Sequence, residues 1–149
     1  MEYSIEEFDK AKAKVMNYIM YKKRTEYEVR TKFSKTLEEN LLDDIIDYIK
    51  NAGYLSDEKY IERAVNEFRA LKNFSIREIK YKLISKGIKN SLIEDYISNN
   101  YDELNIYEIE SAKRIVKKKK SQMELNKIKD YLRKKGYTEE STKEAIIED

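Results

Sequence analysis

Three segments of this chain, "TEYEVRTKFSKT" from residue 25, "SIREIKYKLISKG" from 75 and "ELNKIKDYLRKKG" from 124, superpose without a gap. Val29, Ile79 and Ile128 fall together, as do Phe33, Leu83 and Leu132. Each pair is four residues apart, which puts both side chains on one face of a helix. A near-constant interval of this length marks a repeated supersecondary unit whose apolar face is buried against its neighbours.

The residues around the repeated segment complete the unit. Before each copy runs a longer helical pattern, whose third example carries Ile106, Ile109, Ala112, Ile115 and Val116. Ala13, Ala64 and Ala112 are expected where helices approach closely. After each copy comes a shorter apolar pattern: Leu42, Ile45, Ile46 and Ile49; then Leu92, Ile93, Tyr96 and Ile97; then Ala145, Ile146 and Ile147. Four Ser/Thr…Glu spacings (Ser4…Glu7, Thr25…Glu28, Ser75…Glu78, Ser91…Glu94) read as capping boxes at helix starts. There is no Pro, and the only glycines are Gly53, Gly87 and Gly136. Gly87 and Gly136 end their copies of the repeated helix, whereas Leu37 stands at that place in the first copy. In "NAGYLSDEKY" (51–60), Gly53 supplies the left-handed residue that stops one helix and Ser56 caps the next.

The predicted fold is therefore all-α, an elongated array of three tandem three-helix repeats over 1–52, 53–100 and 101–149. The nine helices are expected near 5–22, 25–36, 39–51, 57–72, 76–86, 91–99, 103–120, 124–135 and 139–147.

Composition narrows the chemistry. The chain has neither Cys nor His, which removes thiolate chemistry, the usual zinc sites and imidazole acid–base catalysis. It shows no glycine-rich phosphate loop and no nucleophile motif. No catalytic, cofactor or metal residue is expected; Asp43, Asp44 and Asp47 read as a solvated face. The acidic start "MEYSIEEFDK" is unlike a signal peptide, and no apolar run is long enough to span a bilayer. A cytoplasmic monomer is the expectation.

Net charge is only +2, but its sign oscillates with the repeat. Residues 10–35, 69–89 and 113–135 are rich in Lys and Arg. The third helices carry acids, Glu38, Glu39, Asp43, Asp44 and Asp47 in the first copy and Glu139, Glu140, Glu144, Glu148 and Asp149 in the last. Arg30, Lys80 and Lys129 are equivalent, and Lys32 and Lys82 match with Tyr131 in the third copy. Stacked repeats would display such residues at regular intervals, as a basic stripe suited to phosphates or an acidic protein surface. The candidate contact residues are Arg30, Lys32, Arg69, Lys72, Lys80, Lys82, Lys113, Lys117, Lys129 and Arg133. "KKKK" (117–120) points around most of a helix axis, and Lys119 is expected to snorkel. Tyr81 and Tyr131 are placed to stack on bases, while Tyr18, Tyr27, Tyr48, Tyr60 and Tyr96 are expected between helices.

"GYLSDEKYIERAVNEFRALKNFSIREIKYKLISKGI" (53–88) resembles the central repeat of the RecX regulatory proteins, bacterial modulators of the RecA recombinase. Gly53, Tyr54, Leu55, Asp57, Tyr60, Arg69, Ile79, Leu83, Lys86, Gly87 and Ile88 carry the likeness. Ala11, Arg24, Glu28, Val29, Lys32 and Phe33 extend it to the preceding copy. The chain departs from the family pattern at Ser56, where an acid is common, at Leu37, where a Gly is usual, and at Tyr60 and Ile61, which replace a usual Phe-Ala while Tyr60 keeps the aromatic. The resemblance implies a non-enzymatic helical protein that lies in the groove of a RecA–DNA filament. It further implies inhibition of ATP hydrolysis, strand exchange and coprotease activity, with DNA bound in the filament or directly. The alternative is a helical DNA- or RNA-binding module that acts without RecA.

Overall fold

The computed structural model describes residues 3–147. Among them are nine helices and no strand: α1 (Ile5–Tyr21), α2 (Glu26–Phe33), α3 (Glu39–Asn51), α4 (Asp57–Leu71), α5 (Ile76–Ser85), α6 (Asn90–Asn99), α7 (Tyr101–Lys119), α8 (Leu125–Lys135) and α9 (Glu139–Ile147). They follow one another as three long–short–short sets, the three-helix repeat read from the sequence. Contacts gather the described residues into two units. One takes the chain up to Tyr60 together with Ser85–Lys89; the other takes Ile61–Ile84 and the chain from Asn90 onward.

In the first unit, the apolar stripes of α1 (Ala11, Val15, Ile19), α2 (Val29, Phe33) and α3 (Leu41, Leu42, Ile45, Ile46, Ile49) close over one another. Five buried side chains on a thirteen-residue helix make α3 the centre of this core. Ala11, not Ala13, is the small buried residue of α1; Ala13 lies one helical step off the stripe and is exposed. Leu55 joins the same cluster just after the Gly53 turn. There the Tyr54 N–H reaches back to the carbonyl of Ile49 at 2.9 Å and closes α3.

The second unit differs in the long helix α7. Its buried face holds Leu104, Tyr107, Glu108, Ser111, Ala112 and Val116, whereas Ile106 is 60% exposed. Reading apolar periodicity alone shifted this face, because two of its buried positions are polar. Ala112, Val116, Ile128, Leu132, Tyr137 and Ala145 form one cluster of α7, α8 and α9.

Three of the four capping boxes form at Ser4, Thr25 and Ser75. Ser91 is not a cap. Helix α6 already starts at Asn90, so Ser91 lies within its first turn, and Glu94 turns to Lys80 instead.

Each unit contains one copy of the same joint. In the first, the Thr25 hydroxyl donates to the carbonyl of Lys86 at 2.8 Å, Asp57 accepts the Glu26 N–H at 2.9 Å, and Lys86 faces Glu28 at 4.0 Å. In the second, the Ser75 hydroxyl donates to the carbonyl of Lys135 at 2.7 Å, Glu108 accepts the Ile76 N–H at 3.1 Å, and Lys135 faces Glu78 at 3.4 Å. A helix N-terminus, rich in unpaired N–H groups and carrying a partial positive charge, thus meets a helix-ending carbonyl and a carboxylate. Gly87 (φ +80°) and Gly136 (φ +101°) make the approach possible. A Cβ on Gly87 would lie 2.1 Å from the Tyr27 ring, and one on Gly136 2.9 Å from the Arg77 Cβ.

The C-terminal end of α2 and the N-terminal end of α8 lack this chemistry. Helix α2 ends at Phe33, and the Leu37 N–H turns back to the Phe33 carbonyl at 2.9 Å with no glycine stop. Helix α8 begins after Glu124, which makes no side-chain cap bond, and Lys127 stands where Glu28 and Glu78 stand in the other copies.

Candidate cationic interface

The repeated cation of the second helices is the fifth residue in each: Arg30 in α2, Lys80 in α5 and Lys129 in α8. Each meets the fifth residue of its own third helix or the space beside it. Arg30 bonds Asp43 at 2.6 Å and Glu26 at 3.0 Å. Its hydrogen bond to Asp43, with Glu26 adding to it against burial, raises the guanidinium pKa further above its already high value. Lys80 pairs with Glu94. In the third copy the fifth residue of α9 is Lys143, and Lys129 has no ion-pair partner among the described residues. The first two members of the expected stripe therefore also act as staples between a second and a third helix.

Glu26 is a hub of the first unit. Burial alone would push its carboxyl up, yet Lys50 at 2.9 Å and Arg30 at 3.0 Å hold it below the usual glutamate range. Asp57 moves the other way, raised by burial despite the backbone bond it accepts.

The remaining candidates fall into three groups. Lys32 and Lys82 lie over aromatic rings, the first 5.8 Å from the Tyr18 centroid and the second 4.7 Å from that of Phe74. The third copy reverses the pairing, since Lys119 of α7 stands 4.3 Å over the Tyr131 ring of α8. Arg69 faces Glu103 at 3.6 Å and Arg133 faces Asp130 at 3.4 Å. Lys72, Lys117 and Lys129 are exposed, and Lys113 is half-buried. Lys72 alone among non-glycine described residues has positive φ (53°), and its carbonyl accepts from the Ser111 hydroxyl at 3.0 Å.

Tyr81 is exposed, as a stacking ring requires, while Tyr131 is half-covered. Tyr27 and Tyr48, expected between helices, are 55% and 48% exposed; Tyr18 packs edge-on against Phe33. The candidate contacts left out the cations that follow α1: Lys22 and Lys23 are exposed next to Tyr21, which is 83% exposed. Arg24, singled out in the sequence only for the family likeness, has its guanidinium 3.9 Å over the Tyr18 ring. "MYKKR" (20–24) was the available signal, basic residues set against exposed apolar ones.

Among the described residues no cluster of three or more His, Cys, Asp or Glu could hold a metal ion. Asp43 and Asp44 are instead committed to Arg30 and to the Tyr3 hydroxyl. Glu148 and Asp149 lie outside the described residues. No described helix is long and apolar enough to cross a membrane.

No protein-family model matches the chain. It is 33% identical over 149 residues to a regulatory protein RecX of Finegoldia magna, covering 95% of this chain and 72% of the relative. It is 31% identical over 135 residues to a regulatory protein RecX of Staphylococcus carnosus, of whose length it spans about half (51%). Among solved structures, RecX from Lactobacillus salivarius shares the fold with a TM-score of 0.81 at 24% identity, covering 97% of both chains. A second regulatory protein RecX gives a TM-score of 0.74 at 20% identity, covering 91% of this chain and 71% of that one. With the Finegoldia relative matched at this identity over most of both chains, the chain belongs to the RecX regulatory protein family.

Proposed function

We propose that the chain is a non-enzymatic regulator that binds a RecA–DNA filament and inhibits its ATP hydrolysis, strand exchange and coprotease activity. The observation that carries this reading is membership of the RecX family across nearly the whole chain. Its repeats, taken as 1–52, 53–100 and 101–149, act as successive weak contacts. Several modest sites engaged together on a polymer give avidity without a deep pocket.

In this reading the cations left exposed do the binding: Lys72, Lys117, Lys129 and Arg133, helped by Lys32 and Lys82. Arg30, Lys80 and Arg69 contribute their outward charge but spend part of it on neighbouring acids. Lys113 lies at the edge of the set. DNA is met as part of the filament, and the protein acts in the cytoplasm as a monomer.

Co-sedimentation with cognate RecA polymerised on single-stranded DNA tests the reading. Retention of this chain only when RecA is present supports it. Equal retention on naked DNA or RNA would favour a nucleic-acid-binding module instead. Such binding should fall with salt at a log–log slope of about −0.9 per phosphate neutralised on a duplex.

A further inference from the structure

The corner between the second and third helix is closed in two copies and open in the third. Arg30 meets Asp43 and Lys80 meets Glu94, fifth residue to fifth residue. The corresponding residues of α8 and α9 are Lys129 and Lys143, two cations where the fold elsewhere places an ion pair. They line the same groove, of about 300 Å³, together with Arg133 and the single acid Glu139 on its rim. Tyr137, Ile146 and Ile147 give it apolar surface, and Ile147 is 74% exposed. Neither lysine has an ion-pair partner among the described residues, and Arg133 has only Asp130 at 3.4 Å.

Like charges facing one groove cost free energy unless an anion joins them. We propose that this groove binds an acidic peptide segment of a partner protein, with a carboxylate between Lys129 and Lys143 and an apolar side chain on Ile146 and Ile147. Two features select a peptide over a nucleic acid. The group that satisfies this corner in the other copies is a carboxylate. The floor is also apolar, and a sugar–phosphate backbone has nothing to lay on it. The assignment does not depend on the filament reading, since it is measured on this chain alone.

The probe is a fluorescein-labelled synthetic peptide of Asp and Glu with Leu at every fourth position. Controls are the same peptide with Asn and Gln in place of the acids, and a short poly-thymidine strand. The acidic peptide is expected to bind, to shift the methyl resonances of Ile146 and Ile147, and to outcompete both controls. Lys143→Glu rebuilds the ion pair seen in the other two copies. It should raise the midpoint of thermal unfolding and weaken the peptide at least about tenfold, the scale expected when a desolvated charge partner is lost. Lys129→Gln with Arg133→Gln should weaken binding similarly without raising the midpoint, and gives a second reading if Lys143→Glu perturbs the fold. No binding at millimolar peptide, binding indifferent to these substitutions, or preference for the oligonucleotide would each overturn the proposal.

Discussion

The hydroxyl of Thr25 reaches the carbonyl oxygen of Lys86, 2.8 Å away and 61 residues further along the chain. The same hydroxyl accepts the Glu28 N–H at 3.2 Å, so one side chain both caps α2 and fastens it to the segment that carries Gly87. Ser75 repeats this double use on Glu78 and Lys135. Thr25→Val and Ser75→Ala should each cost about 2 kcal/mol, a cap together with a buried hydrogen bond. Ser4, a cap whose hydroxyl bonds only within its own capping box, to Glu7, is the control, and Ser4→Ala should cost about 1 kcal/mol or less. Chemical denaturation of the three variants checks the ranking.

The glycines at the joints should tolerate less than the glycine at the turn. Gly53 has positive φ but open space around it, whereas Gly87 sits against the base of the Tyr27 side chain. Gly53→Ala should cost about 1 kcal/mol from backbone strain. Gly87→Ala adds a steric clash, and should cost about 2–4 kcal/mol in all. Equal losses in thermal melts would contradict the joint geometry.

Glu108 is fully buried, and no ion pair joins it to a Lys or Arg among the described residues. Its carboxylate instead accepts from the Ile76 N–H, from Thr138 at 3.2 Å and from Ser141 at 2.6 Å. Glu108→Ala would strand these donors and should cost about 3 kcal/mol or more. Glu108→Gln keeps the shape and one acceptor while the two hydroxyls reorient, so about 1–2 kcal/mol is expected. Near-equal effects would show that packing, not hydrogen bonding, holds this residue.

What the sequence displayed and what it hid divide along one line. Stripes such as Val29 and Phe33, stops at Gly53 and Gly136, and caps at Thr25 and Ser75 are local signals, and the nine helices follow from them. Bonds such as Thr25 to Lys86 leave no local trace, because their partners meet only after folding. Buried Glu108 and Ser111 defeated the apolar pattern of α7 because their polarity is satisfied by distant donors and acceptors. Arg30, Lys80 and Lys129 were recognisable as equivalents. Their destinations became readable only when the fifth residues of the third helices were set beside them.

Acid should weaken the first unit through Glu26. Its carboxyl pKa is held down in the fold by Lys50 and Arg30, so its contribution is complete above the usual glutamate range. That contribution fades as pH falls below about 4. Asp57, raised by burial, has the opposite sign: it favours the fold below the usual aspartate range and loses that contribution as pH rises through its shifted value. Glu26→Gln should therefore flatten the acid limb of a stability–pH profile, and Asp57→Asn should steepen it. An unchanged acid limb in Glu26→Gln would remove Glu26 as its source.

DNA-dependent ATP hydrolysis by cognate RecA, titrated with this chain, tests the functional account most directly. Hydrolysis should fall to a low plateau by the time the chain equals RecA in concentration, and Lys72, Lys117 and Lys129 changed together to Glu should abolish the effect while the helical signal persists. Undiminished hydrolysis at a molar excess of the folded chain would contradict it.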